Sequence, residues 1–254
     1  MIRSLHITCT LIFLLLASFS QADLSPAHAK AQQSFLLQAH IEATEILSFW
    51  FEEWDEDMTS KGTGKYNDKW FPHGPTGVEG SKETDRIIRE RFMGTFEKAI
   101  SNQLEWDIEN NPYENLAYIL LLDQFTRNMF RGSEKSYQYD HLSRAAVKQN
   151  IKQGFSNYYF TGYQKLFVVY PLMHHENLAS QALSLDYLKD INEHSEHRYA
   201  FLNALQKGIE HYQIILMFDR FPHRNIRLGR ENSELEAAYL AKIGSKGFVD
   251  GSKW

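Results

Sequence analysis

Apolar residues in this chain recur every three or four positions, and no segment alternates strictly between apolar and polar over a useful length. Ile87, Ile88, Phe92, Phe96 and Ile100, within Ser81 to Gln103, show the pattern. Such spacing lines one stripe of a helix and cannot cover one face of a strand. The fold is therefore read as all-α, an antiparallel helical bundle or array of about eight to ten helices.

Punctuation residues set the expected boundaries. Ser25-Pro26 opens a helix expected to run unbroken to about Trp54, with Ile46, Leu47, Phe49, Trp50, Phe51 and Trp54 in the core. Asp55 to Gly80 is rich in Gly and Pro and reads as an irregular loop at about 55–80, with Trp70-Phe71 tucking back onto the fold. After Ser81–Gln103, Asn111-Pro112 opens a helix over Tyr113 to about Phe130, with Leu116, Ile119, Leu120 and Phe125 inward and Gly132 as a left-handed cap. Glu134–Gln153 is the next, capped by Gly154. The apolar run Phe160–Tyr170 is expected to kink or stop at Pro171, with a helix resuming near His174 and lasting to about Asp190. A long helix over Glu196–Phe218 follows. Ser233-x-x-Glu236 is a capping box for a last helix, Glu234–Ile243, before a Gly- and Lys-rich tail.

The amino terminus has a different logic. Arg3 and His6 precede the apolar run Leu11-Ile12-Phe13-Leu14-Leu15-Leu16-Ala17, and Ser20-Gln21-Ala22 offers small residues around a cut after Ala22. This is the layout of a secretory signal, so residues 1–22 are read as a signal peptide and 23–254 as one helical domain, periplasmic or secreted. An uncleaved anchor is the alternative, and only then is a membrane a partner. Cys9 is the single cysteine and lies within the signal, so disulfides, thiolate metal sites and cysteine nucleophiles are excluded beyond it. A net charge of −5 provides no basic field for nucleic acid.

Chemistry concentrates in two segments. Asp219-Arg220-Phe221-Pro222-His223-Arg224-Asn225-Ile226-Arg227-Leu228-Gly229-Arg230 follows the apolar helix end Ile214-Ile215-Leu216-Met217-Phe218. Asp123-Gln124-Phe125-Thr126-Arg127-Asn128-Met129-Phe130-Arg131-Gly132 follows another such end and has the same order, Asp-x-Phe and then Arg-Asn. Polar groups this dense beside core sequence must be paired with each other or with a ligand, because burying them unpaired costs several kcal/mol each, about 2–7.

These segments carry a resemblance. With Ile46-Leu47-Ser48-Phe49-Trp50-Phe51 and Tyr170-Pro171-Leu172-Met173-His174-His175-Glu176-Asn177-Leu178, they resemble the bacterial domain-of-unknown-function-924 family over about residues 44–243. The resemblance implies a tetratricopeptide-like helical fold and no settled activity. This chain departs from the family pattern in having Thr126 where Pro is common, Asp219 where Gly is, His175 where Ser is, and Glu231-Asn232-Ser233 where Glu-Ser-Thr is.

Two readings of the site follow. In the first, Asp123, Gln124, Arg127, Asn128, Arg131, Glu176, Arg220, Arg224, Asn225 and Arg230 contribute to a pocket for a small anionic molecule bearing phosphate or carboxylate. Guanidinium forks suit both groups. His174 and His223 are then the candidate acid–base groups, with arginine stabilising negative charge. His174, His175 and Glu176 are expected at a helix start, where free backbone N–H groups favour an anion. In the second, the arginines pair with Asp123, Asp219, Glu176 and helix-end carbonyls as clamps, and the array is a scaffold for a peptide or protein. His174, His211, His223, Asp219 and Glu176 lack helix-borne zinc spacing, so no metal is expected. No cofactor is expected either, because the chain has no Gly-x-Gly-x-x-Gly, no phosphate loop and no Gly-x-Ser-x-Gly turn.

Overall fold

From Asn111 to Thr126 every side chain except Tyr118 is buried. A helix so enclosed must be the axis on which its neighbours pack. The computed structural model describes residues 26–51, 70, 77–194 and 198–243, and those residues form ten helices and no strand. They are α1 (Pro26–Gln38), α2 (Ile41–Phe51), α3 (Gly77–Ile100) and α4, which is composite: Pro112–Leu120, one π turn over Leu121–Phe125, then Thr126–Met129. There follow α5 (Asp140–Gln153), α6 (Phe155–Tyr159), α7 (Gly162–Met173), α8 (Leu178–His194), α9 (Arg198–Phe218) and α10 (Glu234–Ile243), with 3-10 turns at Glu134–Ser136 and Pro222–Arg224. The all-α expectation holds. The stretch read as a signal, the tail from Gly244 and positions 55–69 and 71–76 of the loop expected at about 55–80 lie outside the described residues, and the last four positions of that loop are helical, since α3 begins at Gly77 and not at Ser81.

Helices α2, α5 and α7 surround α4, and α3 covers its second half. The largest face in the fold joins α8 to α9, with α7 beside α8. Gly208 permits that approach, since a Cβ there would stand 2.5 Å from Leu188 Cδ1. The core is aromatic: Phe49, Trp50, Phe92, Phe125 and Phe167 are buried in one cluster. Trp70 stacks on Trp50 and donates its indole N–H to the Trp50 carbonyl at 2.8 Å, so the expected return of this part of the loop is observed.

Polar groups on the buried axis must find partners. Glu114 accepts the His40 backbone N–H at 2.7 Å and meets His40 Nδ1 at 2.6 Å. Asn115 donates to the carbonyls of Ile108 and Ala146, at 3.0 and 3.1 Å, and accepts from Asn150 at 3.0 Å.

Several boundaries differ from expectation for identifiable reasons. The helix expected over 27–54 breaks at Ala39–His40, because the His40 N–H is committed to Glu114 and its carbonyl caps α2 instead. Pro171 does not stop α7, which runs two residues further to Met173. Consequently His174 and His175 end a helix rather than start one. Their N–H groups donate to the Tyr170 and Leu172 carbonyls at 2.8 and 3.2 Å, which removes the helix-start argument for an anion there. Gly154, at φ +68, caps α5 as expected, and the Ser233/Glu236 capping box forms in both directions, at 3.2 and 2.7 Å.

Candidate functional site

The π turn in α4 puts Asp123 deep in the fold, fully buried. Thr126 Oγ1, at the position where the family pattern commonly has Pro, donates to the Leu122 and Asp123 carbonyls at 3.0 and 3.1 Å. Asp123 accepts from Gln124 Nε2 at 2.6 Å, lies 2.9 Å from His174 Nδ1 and 3.1 Å from Arg127 Nη1. Burial alone would raise the Asp123 pKa, but Arg127 and His174 outweigh it and hold the carboxyl well below its ordinary value. Arg127 reaches on to α5 and engages both oxygens of Asp140 at 3.1 and 3.0 Å. Burial lowers the His174 pKa, and Arg127 adds to the effect. His174 is thus a neutral ring with one nitrogen on a carboxylate, a geometry that fixes its tautomer.

The second motif forms the opposite wall. Its loop is tied down by intramolecular pairs. Glu176 accepts the Phe221 N–H at 2.8 Å and both ends of the Arg230 fork at 2.7 and 2.8 Å. Arg230 Nε donates to Asn225 Oδ1 at 2.9 Å, and Asn225 donates to Asn232 at 2.8 Å. Arg220 grips Glu236 at 2.6 and 2.7 Å. These are the clamps anticipated for part of the arginine set.

Arg224 is not clamped. Its residue is only 4% exposed, and its guanidinium lies 4.6 Å from the ring centroids of both Tyr137 and Phe221. Among the described residues it has no hydrogen bond or ion pair, and its Nε is buried without a partner. Burial lowers its pKa, opposed chiefly by Asp140. Cation–π contacts contribute about 0.5–2 kcal/mol and do not replace the hydration of a buried charge.

Arg224 faces a cavity of about 690 Å³ that opens to solvent. His174, His175 and Glu176 line one side, and Tyr137, Asp140 and Arg144 another. Arg144 stands one turn beyond Asp140 on α5 and likewise has no hydrogen bond or ion pair among the described residues. Burial lowers its pKa too. His175 Nδ1 lies 2.8 Å from Ser180 Oγ, and burial lowers the pKa of its ring.

The sequence-derived set thus divides. His174, Glu176 and Arg224 line the cavity; Asp123, Gln124 and Arg127 stand directly behind it. Asn128 and Arg131 point to α3, where both bond Asp85, at 2.8 Å and at 2.6 and 2.7 Å. Arg220, Asn225 and Arg230 hold the loop. His223 is buried against Phe221 and outside the lining, and burial with nearby Arg224 depresses its pKa to about 2. Sequence reasoning missed Tyr137, Asp140, Arg144 and Asp85. Asp140 and Arg144 stand four apart on α5, a spacing ordinary on any exposed helix face, and only the fold turns them to the cavity. No group of three His, Asp or Glu among the described residues is placed to hold a metal.

An all-α array in which the second arginine motif and the end of α7 line one polar cavity, with Asp123 and Arg127 behind it, defines the class. Residues 46–244 match the family described as bacterial protein of unknown function (DUF924), and the chain belongs to that family. It is similar to the solved structure of a protein of unknown function from Agrobacterium tumefaciens, with 29% identity, 79% of this chain and 97% of that one covered, and a TM-score of 0.61. No curated protein matches.

Proposed function

We propose that the cavity between α5, the end of α7 and the Phe221–Arg230 loop binds a small anionic molecule through a phosphate or carboxylate group. The observation that supports this most directly is Arg224: a guanidinium almost wholly buried, flanked by two rings, without an acidic partner, at the wall of an open cavity. Arg127, Arg131, Arg220 and Arg230 already have carboxylates, and Arg227 donates to the Tyr137 hydroxyl at 3.1 Å. An anion supplied from solution completes Arg224, whose guanidinium has no hydrogen bond among the described residues. Where the bound molecule reacts, His174, held by Asp123 at the cavity wall, is the group that moves a proton. We read residues 1–22 as a secretory signal, which would put this binding in the periplasm or outside the cell.

The test is a thermal-unfolding screen of the purified protein with phosphate, acetate and citrate. Binding to the native state raises the midpoint by mass action, by about 2.7 kcal/mol of stability at a hundredfold excess over Kd. The shift is expected in the wild type and lost in Arg224→Met. Absence of a shift with every anion, or an equal shift in the variant, rejects the reading.

A further inference from the structure

The cavity's charges say more than that it takes an anion. Its buried carboxylate is spent: Asp140 has Arg127 on both oxygens. Glu176 has Arg230 on both of its own. Glu176 and Arg230 cancel, whereas Arg127 is shared with Asp123, so the Asp123–Arg127–Asp140 cluster keeps one negative charge, its oxygens already engaged. Glu134 is acidic but exposed at the rim. Neither His174 nor His175 adds a positive charge near neutral pH, because burial disfavours protonation of both rings. Inside the rim two guanidiniums, those of Arg144 and Arg224, have no hydrogen bond or ion pair among the described residues, with Asp140 as the nearest opposing charge of both. A ligand with one anionic group can complete the hydrogen bonding of one of these forks, whereas a ligand with two can complete both.

The volume adds a second constraint. About 690 Å³ falls in the range of cavities for small organic molecules and far exceeds an inorganic ion. Away from the two arginines the lining is mostly polar, with Gln138, Glu134 and His141 against a single aliphatic side chain, Leu228. A lipid tail gains nothing there, whereas hydroxyl groups find donors and acceptors.

We propose that the natural ligand is a small polar organic dianion, with Arg224 and Arg144 dividing its two negative charges. This rests on the anion reading of the cavity and specifies it. Two sources of such charge share this chemistry, a phosphate monoester and a dicarboxylate.

Matched pairs measured by calorimetry at pH 7.5 test it. Methyl phosphate, a dianion, is compared with dimethyl phosphate, a monoanion, and succinate with succinamate. At least one dianion is expected to bind about tenfold more tightly than its singly charged partner, the effect of one charge-assisted contact. The pair that shows the difference identifies the source. In Arg144→Gln the preference is expected to collapse to about onefold while the monoanion still binds. Because Arg144 is half-exposed and bonded to nothing described, the variant is expected to unfold at the wild-type temperature, and that is measured alongside. Equal binding of both members in both pairs, or a preference that survives Arg144→Gln, overturns the dianion proposal and leaves the anion site standing. If none of the four probes binds, both readings fail.

Discussion

At residues 123–131 the chain places Asp, Phe, Arg and Asn in an order it repeats at 219–230, and the two places differ in nearly every physical respect but one. Phe125 and Phe221 are both fully buried, so each motif is anchored by its ring. Asp123 is buried inside a π turn and bonded to His174, Gln124 and Arg127. Asp219 is exposed, at φ +56, closing α9 with its N–H on the Ile215 carbonyl at 2.9 Å. Arg127 sits between two carboxylates; Arg224 sits between two aromatic rings. Like residues in like order therefore build a closed ion-pair network in one segment and an open cation in the other. The first suits holding a fold together, the second suits receiving a ligand.

Removing a member of the closed network separates the two most sharply. Asp123→Ala and Arg127→Met each leave buried charge without its partner and are expected to lose about 3–5 kcal/mol in urea unfolding. Losses under about 1 kcal/mol show that the network is not structural, and the contrast with the second motif then fails.

Acid comes next in size. The folded-state pKa of His211 is lowered to about 3 and that of His223 to about 2, in both cases chiefly by burial. Above the ordinary value of about 6.5 both rings are neutral folded and unfolded, so they add no pH dependence. Below it the unfolded chain takes up protons that the native state refuses, and stability falls with pH down to about 3, by up to about 1.4 kcal/mol per pH unit for each ring. His174 acts in the same direction. Asp123, depressed below its own ordinary value, adds its loss only at pH under about 4. Unfolding free energies measured from pH 7.5 to 4.5 are thus expected to decline first through the histidines. In His211→Gln the decline is expected to be shallower. A flat profile between pH 6.5 and 4.5 contradicts their neutral burial.

How much of this was legible in the sequence follows from which interactions are local. Gly154 and the Ser233/Glu236 box act within a few residues, and α5 ends and α10 spans where expected, though α5 opens at Asp140, after the 3-10 turn at Glu134–Ser136, and not at Glu134. The break at Ala39–His40 depends on Glu114, 74 positions away, and no local signal announces it. The site divides on the same principle. Residue order marked Arg127 and Arg224 as alike, because order carries no record of what each side chain meets. Asp140 neutralises one and Tyr137 flanks the other, and both lie between the motifs in sequence, on elements whose docking only the fold decides. The missed Arg144 is the same case: Asp140, one turn away, spends both oxygens on Arg127 and leaves the Arg144 guanidinium without an ion pair among the described residues.

Arg224→Met is expected to be mild. The substitution gives up two ring contacts of about 0.5–2 kcal/mol each and removes an unpaired charge from a dehydrated position, so stability is expected to stay within about 1 kcal/mol of wild type without ligand. The comparison with Arg127→Met is the informative quantity. Equal losses for the two imply that Arg224 has an acidic partner in solution, and the open-cation description fails.

The smallest effect belongs to Asp219. The left-handed conformation costs an L-residue about 1–2 kcal/mol, less for Asp than for most, and glycine avoids that cost while losing more chain entropy on folding. Asp219→Gly is therefore expected to leave stability unchanged or raise it by about 0.5 kcal/mol, with anion binding unaffected. The family pattern's glycine at this position then has a conformational cause, and the aspartate here is one of the few side chains that tolerates the same geometry. If Asp219→Gly instead weakens binding, the second motif's acid takes part in the site after all, and the resemblance between the two segments extends from residue order to chemistry.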